Sequence, residues 1–135
     1  MTIVIEAAVL AANRAFYDAF AGRNPEAMAQ VWAREHPVVC IHPGRGALRG
    51  REGVMGSWRA ILDSRDAPSV QFSDAAAVVF GDAAFVTCME HIGGARLAAT
   101  NIFALEQGEW RMVHHHAGPM ASGGESRRPS SSPLN

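Results

Sequence analysis

From Val70 to Gly118 the chain alternates at period two, and three short glycine-containing turns interrupt the alternation. VQFSDAAAVVF is followed by Gly81-Asp82, AAFVTCMEHI by Gly93-Gly94, and RLAATNIFALE by Gln107-Gly108; EWRMVHHHAG closes the series. Period two is the repeat of a strand, whose successive side chains point to opposite faces. Tight turns of this kind join neighbouring strands antiparallel. The second half of the chain therefore reads as four consecutive strands in a meander.

The first half has a different period. From about Thr2 to Ala21 it is rich in alanine, and Val9, Ala12, Phe16 and Phe20 recur at helical spacing. Gly22 stops this helix. Asn24-Pro25-Glu26 then supplies a cap, a first-turn proline and a first-turn acid for a short second helix, with Met28, Val31 and Trp32 on one face. Pro37 opens the short strand VVCI, which ends at the turn His42-Pro43-Gly44. The loop GRGALRG is expected to be exposed. REGVMGSWRAILDSR brings Val54, Trp58, Ile61 and Leu62 to one face of a third helix. Three helices around one strand, followed by a meander, indicate an α+β fold with the helices on one face of a curved sheet.

Length and composition bound the rest. A chain of 135 residues, 48% apolar, is long enough for one domain with its own core. The net charge of −1 argues against nucleic acid or an anionic membrane as partner. The apolar start carries no basic leader region, no run is long enough to span a bilayer, and Cys40 and Cys88 form no CxxC pair. A cytoplasmic location with free thiols is the expectation. After Met120 the composition turns to Ser, Gly, Pro and Arg, so residues 1–120 read as the domain and 121–135 as a flexible tail.

The run His114-His115-His116 lies inside the last strand, ahead of that tail. Alternation groups Trp110, Met112, His114 and His116 on one face and Arg111, Val113, His115 and Ala117 on the other. A bulge between Val113 and Ala117 would reverse the assignment. His114 and His116 can chelate, but zinc needs two further ligands and no HxxH or HExxH pattern provides them. No metal site and no cofactor are expected.

AFYDAFAGRNPEAMAQVWA, VVCIHPGRGALRGREGVMGSWRAI and ATNIFALEQGEWRMVHHHAGP, in that order, resemble the SnoaL-like branch of the nuclear transport factor 2-like superfamily over about residues 5 to 120. The resemblance implies a cone-shaped antiparallel sheet wrapped around the long first helix, with a pocket between them. It also implies a homodimer formed through the outer face of the sheet. This superfold hosts isomerases, dehydratases and cyclases as well as non-enzymes.

The family's pocket positions carry over one at a time. In ketosteroid isomerases of this fold an acid followed by proline is the general base; the matching pair here is His42-Pro43, so the resemblance implies His42 as base. A turn histidine half in solvent is the plainer alternative. The isomerases' oxyanion-binding acid corresponds to Asn101, whose amide donates at any pH. Their helix-one phenol aligns with Phe16, leaving Tyr17 one position off. In the association domain of calcium/calmodulin-dependent protein kinase, pocket arginines fall at Glu90, Asn101 and Ala117 here, and none of these is basic. That relative's inward face corresponds to Val113, His115 and Ala117, which makes His115 the cavity histidine. Glu90 shares a strand face with Cys88 and Val86; turned into the cavity it is a desolvated proton acceptor, and at the strand end it is simply solvated.

Two functions remain open at this level. One is cofactor-independent isomerase, dehydratase or cyclase chemistry on a small carbonyl compound. It would use His42, Glu90, Asn101 and His115, with Phe16, Tyr17, Trp32, Trp58, Cys88 and Phe103 as ligand-contacting walls. The other is a non-catalytic ligand-binding or accessory domain. A pure oligomerisation domain would show a filled pocket.

Overall fold

A computed structural model describes residues 2–121. The tail expected over 121–135 lies outside the described residues, apart from residue 121. Three helices, α1 (Thr2–Ala21), α2 (Pro25–Val31) and α3 (Arg51–Asp63), accompany six strands. These are β1 (Val39–Ile41), β2 (Ala47–Arg49), β3 (Val70–Phe80), β4 (Ala83–Ile92), β5 (Ala95–Glu106) and β6 (Glu109–Pro119). They form one sheet in the order β2-β1-β6-β5-β4-β3.

Two expectations need correction. The supposed loop GRGALRG contains β2, which pairs antiparallel with β1 through Cys40 and Leu48. The sheet is mixed, because β1 runs parallel to β6, with Cys40 opposite His115. The remaining neighbours are antiparallel.

Turn chemistry sets the meander. Gln107 and Gly108 have φ of 51° and 82°, both left-handed, as a two-residue hairpin turn that follows the strand twist requires. Gly93 and Gly94 do the same between β4 and β5. Two bulges add curvature. In β3 the register jumps between Ser73 and Ala76, around Asp74 at φ 57°. In β6 Phe103 faces Met112 whereas Ile102 faces His114. The extra residue, Val113, moves Met112 to the inner face, where it is fully buried. His115 and Ala117 stay inward; the grouping of Met112 with His114 does not hold.

The concave face closes on α1. Its buried stripe is Val9, Asn13, Phe16 and Tyr17, spaced i, i+4, i+7, i+8. The Asn24 side chain caps α2 by accepting from the Ala27 N–H at 3.0 Å. Trp32 lies just past α2 and bridges to Met112. The Arg51 guanidinium donates to the carbonyls of Ala29, Trp32 and Ala33 at 2.8 to 3.0 Å, tying the end of α2 to the start of α3. At the far end of β5 the Glu106 carboxylate accepts the backbone N–H groups of Arg34, Glu35 and His36 at 2.9 to 3.0 Å and contacts His36 Nδ1 at 2.7 Å. Four contacts to one carboxylate hold the segment entering β1. None of the described helices is long and apolar enough to cross a membrane.

Candidate functional site

Strand register places four inward residues in one row across the sheet: Val86, Asn101, His115 and Cys40. Glu90 and Cys88 follow Val86 on the same face of β4, two residues apart each time. Above this row α1 presents Asn13, Phe16 and Tyr17. The polar side chains among them connect. The Tyr17 O–H donates to Glu90 Oε2 at 2.6 Å and lies 3.4 Å from Cys88 Sγ. Asn101 Nδ2 donates to Asn13 Oδ1 at 2.8 Å and to the Tyr17 oxygen at 3.2 Å. His115 Nδ1 and Asn101 Oδ1 are 2.6 Å apart. His115 Nε2 lies 3.7 Å from Glu90 Oε2. Asn13, Tyr17, Glu90, Asn101 and His115 are each at most 2% exposed.

Burial decides the charge state. Removing a carboxylate or an imidazolium from water disfavours the charged form. Desolvation raises the Glu90 carboxyl, and the Tyr17 bond only partly offsets it. His115 is pushed down to about 3, first by burial and then by the fields of His42, His114 and His116. The imidazole is therefore neutral near pH 7 and the 3.7 Å contact is not an ion pair, while burial works against charge on Glu90. Burial also raises the Tyr17 hydroxyl and the Cys88 thiol, and pushes Cys40 up to about 12. Neither cysteine is a thiolate at neutral pH, and both are unpaired.

His42 joins the row through Cys40 and has further partners of its own. It is 6% exposed, its Nε2 is 2.9 Å from Ser57 Oγ, and its ring meets Trp58 edge-on with centroids 4.9 Å apart. Ser57 Oγ donates to the Val54 carbonyl at 2.7 Å, so the His42–Ser57 bond is donated by the imidazole. Burial, and then Arg45, lowers its pKa. Trp58 contacts both rings, its centroid 5.9 Å from that of His115, and His42 Nε2 lies 3.7 Å from Sγ of Cys40, which faces His115 across the strands. Phe16 packs on Tyr17, Trp58 and His115 at 4.7 to 5.3 Å. Phe103 and Trp32 are fully buried.

The phenol position differs from the expectation. Phe16 is wall and Tyr17 is the donor. One residue turns a helix by about 100°, but α1 is wrapped by a curved sheet, and two adjacent positions both point inward. Sequence reasoning missed Asn13 and Ser57. Asn13 had a readable signal, since a polar residue four after Val9 and three before Phe16 interrupts an apolar stripe. Among the described residues no three His, Cys, Asp or Glu side chains group as a metal site. A groove of about 810 Å³ lies on the opposite side of α1, lined by Ala8, Ala15, Gly22, Ala27, Gln30 and Trp110. The helix separates it from the Glu90–His115 cluster.

A helix-filled cone of this topology, with polar groups gathered inside it, defines a class of small α+β pocket proteins. Residues 9–122 match the model of the SnoaL-like domain, and the chain belongs to that family, within the NTF2-like superfamily. A solved structure from Streptomyces avermitilis, provisionally assigned as a dehydratase of the NTF2-like family, is 30% identical with a TM-score of 0.82, covering 90% of this chain and 99% of that one. A domain from Thiobacillus denitrificans, provisionally assigned as a calcium/calmodulin-dependent protein kinase type II association domain, is 34% identical with a TM-score of 0.74, covering 82% and 94%. The F-box protein SKIP8 of Arabidopsis thaliana is 29% identical over 115 residues, which are 84% of this chain and 50% of that protein. The chain thus spans half the length of this relative.

Proposed function

We propose that the protein binds a small, largely apolar molecule bearing a carbonyl group against the concave face and moves a proton on it, as a cofactor-independent isomerase or dehydratase. The observation that carries this reading is the convergence of a carboxyl, an imidazole, a phenol and an amide within 2.6 to 3.7 Å of one another. Aromatic rings of Phe16 and Trp58 wall them. The likeness to the Streptomyces protein agrees with it.

In a dehydration, the proton beside the carbonyl leaves carbon for His115 Nε2. The Glu90 O–H proton goes to the departing hydroxyl, and water and a C=C bond result. The imidazolium then returns a proton to the Glu90 carboxylate, restoring the neutral pair. In an isomerisation the proton returns to another carbon instead. Tyr17 and Asn101 would serve an enolate oxygen by giving up their present bonds to Glu90 and Asn13. His42, bound to Ser57 and beside Cys40, is a second candidate base on the same face.

The near-zero exposure of the cluster favours a second reading, a non-catalytic accessory or oligomerisation domain with a filled interior. The outer sheet face carries an uncharged stretch at Thr87, Met89, Thr100 and Ile102, which agrees with homodimerisation in either case.

A thermal-shift panel of small carbonyl and aromatic compounds separates the two. Saturable stabilisation by a carbonyl compound is expected, with exchange of its α-proton for deuterium that His115→Gln abolishes. Silence across the panel favours the accessory domain.

A further inference from the structure

We infer that Asn13 is a positioning residue that, together with Tyr17, holds the Asn101 amide one way round and so sets which nitrogen of His115 carries the hydrogen. The consequence for proton transfer rests on the function proposed above; the tautomer itself does not.

Each amide has an accepting end and a donating end, and a neutral imidazole has one nitrogen of each kind. Tyr17 uses its single O–H on Glu90 at 2.6 Å, so towards Asn101 the phenol oxygen can only accept. Asn101 therefore turns Nδ2 to Tyr17 and to Asn13, and Asn13 meets it with Oδ1 at 2.8 Å. That leaves Asn101 Oδ1 against His115 Nδ1 at 2.6 Å. An amide oxygen only accepts, so Nδ1 bears the hydrogen. Nε2 is then a bare lone pair, 3.7 Å from Glu90 Oε2.

Reversing Asn13 reverses the whole chain. Its amino group would donate to Asn101, Asn101 would donate to Nδ1, and the hydrogen would move to Nε2, facing Glu90. Tyr17 would have to turn its O–H away from Glu90. The Asn13 amino group has no hydrogen-bond partner, so the bond that Asn13 Oδ1 accepts from Asn101 at 2.8 Å is what holds it the first way round. Asn13 is fully buried, so water does not compete for either end. In the observed polarity Glu90 gives a proton and His115 takes one. In the reversed polarity the roles exchange.

Long-range proton–nitrogen correlation spectra of protein labelled with ¹⁵N-histidine read the tautomer directly, with His115 assigned by the signals missing from His115→Gln. Wild type is expected to show Nδ1–H and a bare Nε2; an Nε2–H pattern in wild type overturns the proposal outright. Asn13→Leu should shift His115 to a mixture or to Nε2–H, and Asn13→Ala serves if the leucine variant does not give a folded spectrum. A pure Nδ1–H pattern in the folded variant also overturns it. A silent ligand panel with the expected tautomer shift would sink the proposed chemistry while upholding Asn13's role.

Discussion

The Tyr17 hydroxyl bonds Glu90 Oε2 at 2.6 Å, joining the first helix to the fourth strand through two buried side chains. Replacing Tyr17 by Phe keeps the ring against Phe72, where the two lie nearly parallel with centroids 4.7 Å apart, and removes only the donor. Glu90 is then left buried without its strongest partner. The expected cost is about 1 to 3 kcal/mol in urea unfolding, the usual penalty for an unsatisfied buried group. Because the Tyr17 bond lowers the Glu90 pKa, the variant's carboxyl should titrate higher still. Carbon-detected titration of the Glu90 carboxyl checks this; a lower pKa would contradict it.

His115 should make stability depend on pH in a defined window. Its folded imidazole lies near 3 against 6.5 unfolded, so between those values the unfolded chain binds the extra proton. The contribution of the neutral imidazole is therefore complete above about pH 6.5 and is lost as pH falls towards 3. Glu90 has the opposite sign: its raised pKa makes its contribution complete below the ordinary carboxyl value and lost as pH rises through the folded one. Between about pH 6.5 and 5, wild type should lose about 2 kcal/mol more than His115→Asn, at 1.4 kcal/mol per unit. Denaturant midpoints across that range measure the difference. Parallel curves for the two proteins would refute the assignment.

Glu106 gives a separate acid transition. Its carboxyl is held down to about 2, although its burial pushes the other way, by the N–H groups of Arg34, Glu35 and His36 and by the His36 ring. A depressed carboxyl stabilises above its unfolded pKa and loses that contribution as pH falls from about 4.5 to 2. Glu106→Gln keeps the shape but substitutes a weaker, half-donating amide for an acceptor of four contacts. A loss of about 1.5 to 3 kcal/mol at neutral pH is expected. Faster amide hydrogen exchange at residues 34–36 should accompany it. Unchanged exchange there would show that the carboxylate does not hold the segment.

How much of this was legible depends on what each feature rests on. Val86, Cys88 and Glu90 alternate strictly, and so do Ala99, Asn101 and Phe103, so period two alone put Glu90 with Cys88 and Asn101 with Phe103. The β6 bulge was not legible, because Met-Val-His-His contains no turn residue and the extra residue shows only in the pairing with Ile102 and Phe103. The strand Ala47–Arg49 is three residues among glycines and arginines; its pairing with β1 makes it a strand, not its composition. That Phe16 and Tyr17 both face inward was not legible, because a helix under a flat sheet buries a narrow stripe, whereas α1 lies inside a curved one. His42 was a candidate through the family resemblance, and its contacts with Ser57, Cys40 and Trp58 could be read only from the fold.

The proposed dimer yields the last prediction. On the outer face Thr87 is exposed and lies opposite Ala76 on β3 and Thr100 on β5. The same face carries Val78 and Phe80 at 47% and 56% exposure, an apolar area of the kind that covers itself by association. Thr87→Arg adds a long charged side chain to an exposed position, so the monomer core is untouched. In a two-fold dimer the substitution enters twice, placing like charges on the surfaces that must meet and adding a desolvation cost. Light scattering of wild type should give twice 14.4 kDa, and the variant should give 14.4 kDa with its circular dichroism unchanged. A wild-type mass of 14.4 kDa would remove the dimer, and a variant that stays dimeric would move the interface off this face.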